Sequence, residues 1–187
     1  GQATTIDFRE KAPLAASPTM FLDADGELAI GTAHYGRETT VNHVGAKSIG
    51  VPGTVAGLYK AHRKYGRLPW PDLVQPAIEL AKNGFSLTWD LHRAGTFFSQ
   101  ASPVNFLRDY FKKDNGEMTQ FGELWKQPEL ANTLTEIRDH GRDGFYKGEV
   151  AEEIVRFMEA NGGIITQEDL DRYEAIERQP IKGTFHG

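Results

Sequence analysis

Arg9 is the side chain whose position in this sequence most suggests chemistry. It follows the alternating stretch Thr5-Ile6-Asp7-Phe8 and stands where the apolar pattern stops. A guanidinium presented into a loop at the end of a strand offers a planar fork of donors that matches a carboxylate. Spacing alone favours an exposed arginine paired with Asp7 or Glu10, because most arginines are exposed or paired. The residues by themselves leave both interpretations open.

Three glycines at the start of a predicted helix, Gly50, Gly53 and Gly57, form a second candidate site. Free backbone N–H groups at a helix start could hold an anion. Glycine also allows helices to pack closely, and this second interpretation is favoured because glycine so often plays that part.

Other catalytic and metal-binding patterns are weak or missing. Asp7, Glu10 and Glu38 could exchange protons, but among 26 acidic residues a lone carboxylate is usually a solvated surface group. No serine lies in a nucleophile elbow, and the chain has neither cysteines nor a nucleotide-binding motif. The six histidines show no pair at metal-ligand spacing within one predicted helix. We therefore predict no catalytic residue, metal or cofactor in these residues.

Composition narrows the possible partners. A net charge of −5 and scattered basic residues argue against nucleic acid, which needs a concentrated basic face. No apolar run approaches the roughly 18 to 20 residues that cross a bilayer, and no export signal is visible. The chain starts at Gly1 and stops after the extended-looking stretch 179–185. Since unpaired strand edges are a liability, we expect residues 1–187 to be an interior segment of a longer protein, part of one domain.

The pattern predicts one mostly helical unit flanked by strands. Alternation predicts strands at Thr5–Arg9 and again over Tyr173–Arg178. Asp25-Gly26 indicates a turn, and residues 31–45 are typical of a loop.

The predicted helices have clear end signals. The first begins near Pro52, carries Val55, Leu58 and Tyr59 as its apolar stripe, and ends at Gly66 with a left-handed cap. The second ends at Asn83-Gly84 and is expected to pack on the first as a hairpin. Three more follow: one from Pro128 to Gly141, one after a turn at 144–148 that ends at 161–163, and one capped at Thr166–Asp169 that runs to Tyr173.

A series of motifs resembles the large subunit of the gamma-glutamyltransferases. They run in family order over nearly the whole chain, and the weak part is residues 91–127, which carry no such motif. The matching segments are TIDFREKAP (5–13), MFLD (20–23), GVPGTVAGL (50–58), YGRLPW (65–70), QPAI (75–78), AKNGF (81–85), FYKG (145–148) and GGIITQEDL (162–170).

This resemblance implies an α/β fold of the N-terminal nucleophile hydrolases, with αββα layers. In such enzymes a precursor cleaves itself, and the new N-terminal threonine of the small subunit attacks the gamma-glutamyl amide. By resemblance Arg9, in the R-E-x-A-P motif, binds the α-carboxylate of the donor, and it is the only site residue carried over. Glu10 adjoins it without an assigned role, and the nucleophile is expected outside these residues.

The resemblance also implies partners and a location. The expected partners are glutathione, other gamma-glutamyl compounds and the small subunit of the same precursor, in a periplasmic or secreted protein. These residues alone should be inactive. Two alternatives stay open: a relative with another acyl donor, such as a poly-gamma-glutamate depolymerase or a cephalosporin acylase, and a non-catalytic helical interaction module.

Overall fold

A computed structural model describes residues 3–30, 40–101, 110–113 and 115–186, with the side chains of 98–101 left aside. This part of the chain is mostly helical with short strands, as predicted. Its elements in chain order are β1 (Thr5–Asp7), α1 (Thr54–Tyr65), α2 (Trp70–Asn83), β2 (Phe85–Ser86), α3 (Trp89–Ala101), β3 (Leu124–Trp125), α4 (Pro128–His140), α5 (Asp143–Tyr146), α6 (Gly148–Ala160), α7 (Gln167–Asp171) and β4 (Ile176–Arg178).

The two predicted flanking strands pair with each other. β1 and β4 are antiparallel, with Thr5 opposite Arg178 and Asp7 opposite Ile176. β1 is shorter than predicted, because the chain leaves the ladder after Asp7 and the Arg9 N–H donates to Asp7 Oδ1 at 3.2 Å. Lys11 then forms an antiparallel bridge with Val51. Residues 8–10 are therefore held at both ends.

Helix α1 departs from its prediction in two ways. Gly66 follows the helix with φ −64° and ψ 142°, so the left-handed cap was wrong. The chain leaves in an extended conformation, and the His62 ring bonds to the Leu68 carbonyl oxygen at 2.8 Å. The buried residues are Ala56 and Gly57, whereas Leu58 is exposed, because β1 packs over the small residues.

The predicted α1–α2 hairpin is also wrong, because α2 packs antiparallel on α4. The Trp70 indole N–H donates to the Ile137 carbonyl at one end of the pair, and the Gln127 N–H donates to the Ala81 carbonyl at the other, both at 2.8 Å. Between these ends lies a small core of Ile78, Ala81 and Ala131, with Val74 and Leu134 against it. α1 meets α2 at its first residue, where the Tyr59 ring stands edge-on to Trp70 at 5.1 Å.

The last helices largely follow the sequence. α4 and α6 end where predicted, before Gly141 and Gly162 with φ of +60° and +71°. The predicted turn at 144–148 contains the one-turn helix α5. α7 carries the predicted capping box of Thr166 and Asp169, although it ends at Asp171. Residues 31–39 of the predicted loop lie outside the described residues.

The main core lies behind β1 and α1. It gathers side chains from both halves of the chain, which ties the N-terminal strand to the C-terminal helices. Its buried members are Ala46, Val51, Ala56, Tyr146, Ala151, Met158, Ile165, Leu170 and Tyr173.

Candidate functional site

An open cleft of about 640 Å³ lies between the segment that follows β1 and the segment that precedes α1. Residues 6–10 form one wall, and Gly50, Pro52, Gly53 and Thr54 form the other. The polar side chains along it are Asp7, Arg9, Glu10 and Thr54. An open cleft with a few converging polar groups is the usual setting of a small-molecule site.

Arg9 projects from the first wall into solvent, with its side chain 83% exposed. Its Nε donates to Glu10 Oε1 at 3.0 Å, which is the pairing that spacing alone favoured. Neither terminal nitrogen, Nη1 or Nη2, has a hydrogen-bond partner among the described residues. Those two nitrogens can donate two parallel hydrogen bonds to a carboxylate, so the ion pair and a binding role are compatible.

The main chain of Arg9 is fixed although its side chain is exposed. Its N–H donates to Asp7 Oδ1, and its carbonyl accepts a hydrogen bond of 2.7 Å from the Tyr173 hydroxyl. Asp7 is itself held by Arg178 of β4, whose Nε donates to Asp7 Oδ2 at 2.6 Å. The sheet and the core thus set the point from which the guanidinium projects.

Both carboxylates beside Arg9 are ionised at neutral pH. The Arg178 side chain first, and then the Arg9 backbone N–H, hold the pKa of Asp7 below its ordinary value. The pKa of Glu10 is lowered by its own backbone N–H first and by the Arg9 side chain second. A carboxylate with a lowered pKa is a poor proton donor and a weak base. Neither residue is therefore suited to the proton transfer considered from the sequence, and Glu38 lies outside the described residues.

The glycines serve close packing, as favoured from the sequence. A Cβ at Gly53 would lie 1.9 Å from the Tyr173 hydroxyl oxygen and 2.1 Å from the Phe8 carbonyl oxygen. At Gly57 it would lie 2.1 Å from Phe8 Cγ. No side chain fits at either position without displacing a neighbour. An anion held by the N–H groups at this helix start stays a hypothesis.

Two tyrosines behind the cleft, Tyr146 and Tyr173, were missed as site residues by sequence reasoning. Tyr146 belongs to the FYKG motif, and Tyr173 was used only as a helix end and as the first residue of a predicted strand. No local pattern indicates that their hydroxyls reach the cleft walls, because both contacts join distant parts of the chain.

Neither a metal-binding cluster nor a membrane-spanning helix occurs in the described ranges. No group of three or more histidine, aspartate or glutamate side chains there could hold a metal ion. Every helix in the same ranges is too short or too polar to cross a membrane.

Comparison with known proteins gives whole-chain matches. Residues 1–187 match the family model described as gamma-glutamyltranspeptidase. The glutathione hydrolase proenzyme of Pseudomonas sp. (strain A14) is 43% identical over 190 residues, and that of Escherichia coli (strain K12) is 40% identical over 191. Each alignment covers 100% of this chain and 31% of the relative, so the chain spans under a third of the length of these relatives.

Solved structures agree with the sequence matches. The Helicobacter pylori gamma-glutamyltranspeptidase superposes with a TM-score of 0.90 at 38% identity, over 100% of this chain and 51% of that one. A cephalosporin acylase from Bacillus halodurans, at 23% identity and a TM-score of 0.78 over 98% of this chain and 33% of that one, shares the fold. The predicted α/β fold of the N-terminal nucleophile hydrolases is thereby confirmed. The chain belongs to the gamma-glutamyltranspeptidase family.

Proposed function

We propose that these residues supply the donor-carboxylate site of an enzyme that cleaves the gamma-glutamyl amide of glutathione and related donors. The acyl group would pass to water or to an amino acid through a threonyl acyl-enzyme. By family resemblance the threonine lies outside residues 1–187, in the small subunit of the same precursor. Family membership favours this enzymatic function over an interaction module.

The observation that carries the proposal is the open edge of the Arg9 guanidinium on a fixed backbone beside the cleft. Two parallel N–H bonds would hold the α-carboxylate of a glutamyl donor in one orientation. The amide at the far end of the glutamyl side chain would then face the nucleophile. Such orientation of a reacting group is a large source of rate enhancement.

Arg9→Ala and Arg9→Lys in the full-length, processed protein test the clamp. We expect Arg9→Ala to raise KM for a gamma-glutamyl donor about 100-fold, because charge-assisted hydrogen bonds are lost. Arg9→Lys should fall between Arg9→Ala and the unaltered protein, since an ammonium keeps the charge without the fork. A donor whose α-carboxylate is replaced by a carboxamide should bind equally to all three. Steady-state kinetics with both donors provide the measurement.

Arg172→Ala is the matched control, because Arg172 is an exposed arginine that pairs with Glu168 at 2.9 Å and does not line the cleft. It should leave KM unchanged. A KM for the gamma-glutamyl donor that barely moves in Arg9→Ala would show that this arginine does not hold the carboxylate.

The identity of the acyl donor needs its own test. Identities of 40–43% to glutathione hydrolase proenzymes favour a gamma-glutamyl donor, whereas the cephalosporin acylase shares the fold at 23% identity. Comparing kcat/KM of the full-length protein for glutathione, a poly-gamma-glutamate oligomer and a cephalosporin acyl donor separates these possibilities. We expect glutathione to be preferred.

We also propose a periplasmic or secreted location, which rests on the family resemblance. Cell fractionation of the native host with an antibody to this chain provides the test. Recovery in the cytoplasmic fraction would overturn it.

A further inference from the structure

Each wall of the cleft is held from behind by a buried tyrosine hydroxyl. On one wall the Tyr173 hydroxyl donates to the Arg9 carbonyl, and on the other the Tyr146 hydroxyl donates to the Pro52 carbonyl, both at 2.7 Å. The two residues are 2% and 0% exposed, and neither lines the cleft. They can therefore act on a ligand only through the backbone of the walls.

The two rings form one rigid unit, which we call the tyrosine pair (Tyr146 and Tyr173). They stack with centroids 5.7 Å apart and planes 11° apart. Arg142 lies over the Tyr146 ring at 4.6 Å, and its Nη2 donates to the Tyr173 carbonyl at 2.8 Å. One guanidinium thus contacts both members of the pair, and displacement of one ring must disturb the other.

The pair has little freedom to move toward the cleft. Gly53 leaves no space at the Tyr173 hydroxyl, since even a Cβ there would lie 1.9 Å away. Lys11 Nζ lies over the Tyr173 ring, 5.0 Å from its centroid, and donates to the Glu174 carbonyl at 2.9 Å. Close-packed interiors transmit small displacements because they cannot absorb them.

Both hydroxyls stay protonated donors at neutral pH. Burial raises the pKa of Tyr146 to about 12. Burial first, and the charges of Asp7 and Glu10 second, raise the pKa of Tyr173. The hydrogen bonds to the two walls are therefore present throughout the pH range in which the protein would work.

We propose that Tyr173 is a positioning residue for the amino-acid end of the donor. Its hydroxyl fixes the Arg9 carbonyl, and the tyrosine pair sets the separation between the Arg9 wall and the Pro52 wall. This inference rests on the proposed function of Arg9 as the carboxylate clamp. The ligand class it serves is an α-amino acid carboxylate, and its effect is on binding rather than on the bond-breaking step.

Tyr173→Phe in the full-length, processed protein isolates the hydroxyl, because phenylalanine keeps the ring stack. Loss of one hydrogen bond should raise KM for a gamma-glutamyl donor about 3- to 10-fold. The kcat should change by less than about twofold, because the lost interaction contributes equally to binding of the substrate and of the transition state. Tyr110→Phe is the matched control, since its hydroxyl accepts from the Gln127 side chain and neither residue lines the cleft. It should leave KM unchanged.

A double-mutant cycle with Arg9→Ala separates this inference from the proposed function. If Tyr173 acts through Arg9, Tyr173→Phe should add nothing to the KM of Arg9→Ala. No rise in KM from Arg9→Ala alone would overturn the proposed function itself. Two results would overturn only the positioning role, provided that Arg9→Ala raises KM. In the first, Tyr173→Phe leaves KM unchanged. In the second, Tyr173→Phe raises KM by the same factor in the unaltered protein and in Arg9→Ala. Should Tyr173→Phe fail to fold, para-fluorophenylalanine at position 173 takes its place in the cycle, because its fluorine fills the space of the hydroxyl but cannot donate to the Arg9 carbonyl. The same two results then decide.

Discussion

The side chain of Arg9 is exposed, whereas its backbone is held by hydrogen bonds. Ordering an arginine side chain on binding costs about 1–2 kcal/mol in lost rotamer freedom. The bond from Nε to Glu10 already restricts the guanidinium, and the bonds at the Arg9 N–H and carbonyl fix its backbone. For the carboxylate that we propose as its ligand, part of this ordering cost would therefore be met before binding, which is what preorganisation means.

Gly57 tests the close packing of Phe8, the residue after β1, on α1. In Gly57→Ala the new methyl would lie 2.1 Å from Phe8 Cγ, so Phe8 must shift. We expect the free energy of unfolding to fall by about 1–3 kcal/mol, as is usual for overpacking. Gly183→Ala is the control, because nothing lies within 4 Å of its added Cβ. Urea unfolding of the full-length protein measures both, and equal stability of the two variants would contradict this packing.

At the scale of elements, α7 holds the N-terminal segment as well as its own first turn. Asp169 is 5% exposed and accepts hydrogen bonds from the Leu14 N–H at 2.6 Å and from the Thr166 N–H and hydroxyl at 2.8 Å. Burial acts to raise the pKa of Asp169, but these hydrogen bonds outweigh it, and the pKa is lowered below the ordinary value of 3.8. One carboxylate thus caps α7 and fixes the loop after Lys11.

Asp169→Ala should lower the free energy of unfolding by about 2–3 kcal/mol near neutral pH, because buried donors lose their acceptor. Since the folded-state pKa is lowered, this stabilisation is fully present above about pH 4 and is lost as the pH falls through the folded-state value. The difference from the unaltered protein should therefore shrink in acid. Urea unfolding from about pH 2.5 to about pH 7, a range that spans the titration of carboxylates, measures this stability difference.

Asp171→Ala on the same helix is the control for this series, since its exposed carboxylate accepts from the Gln167 side chain. We expect little change in stability. A stability difference for Asp169→Ala that stays constant into acid would show that the ionised carboxylate is not its source.

At the scale of the whole molecule, the two cleft walls are joined through a core that links distant parts of the chain. Large apolar side chains remain exposed beyond it, among them Leu14, Ile176, Ile181 and Phe185. The chain spans 31% of the length of the glutathione hydrolase proenzymes that it matches. Single exposed apolar residues are common on protein surfaces, so the proposal that the small subunit of the precursor packs against this chain rests on the family resemblance.

Residues 1–187 produced alone should not cleave a gamma-glutamyl anilide, because the proposed threonine nucleophile lies in another part of the precursor. Production of the full precursor should give activity together with cleavage into two chains, seen by mass spectrometry. Hydrolysis of the anilide by the isolated residues would contradict the assignment of the nucleophile.

The sequence alone determines where several helices begin and end. Glycines that allow positive φ end α2, α4 and α6 as predicted, and the Thr166–Asp169 box starts α7, because these signals act within a few residues. Arg9 was selected from its position at the end of a strand, and the family motifs gave its proposed role. That role stays a prediction.

Tertiary structure decided which surfaces meet. The apolar face of α2 is visible in the sequence, but a periodic pattern does not name its partner, and α4 rather than α1 covers it. Likewise Tyr173 reaches the Arg9 carbonyl across 164 residues of sequence, and Tyr146 reaches Pro52 across 94. Such contacts depend on the packing of the whole core, so the residues that shape the cleft from behind become visible only in the folded chain.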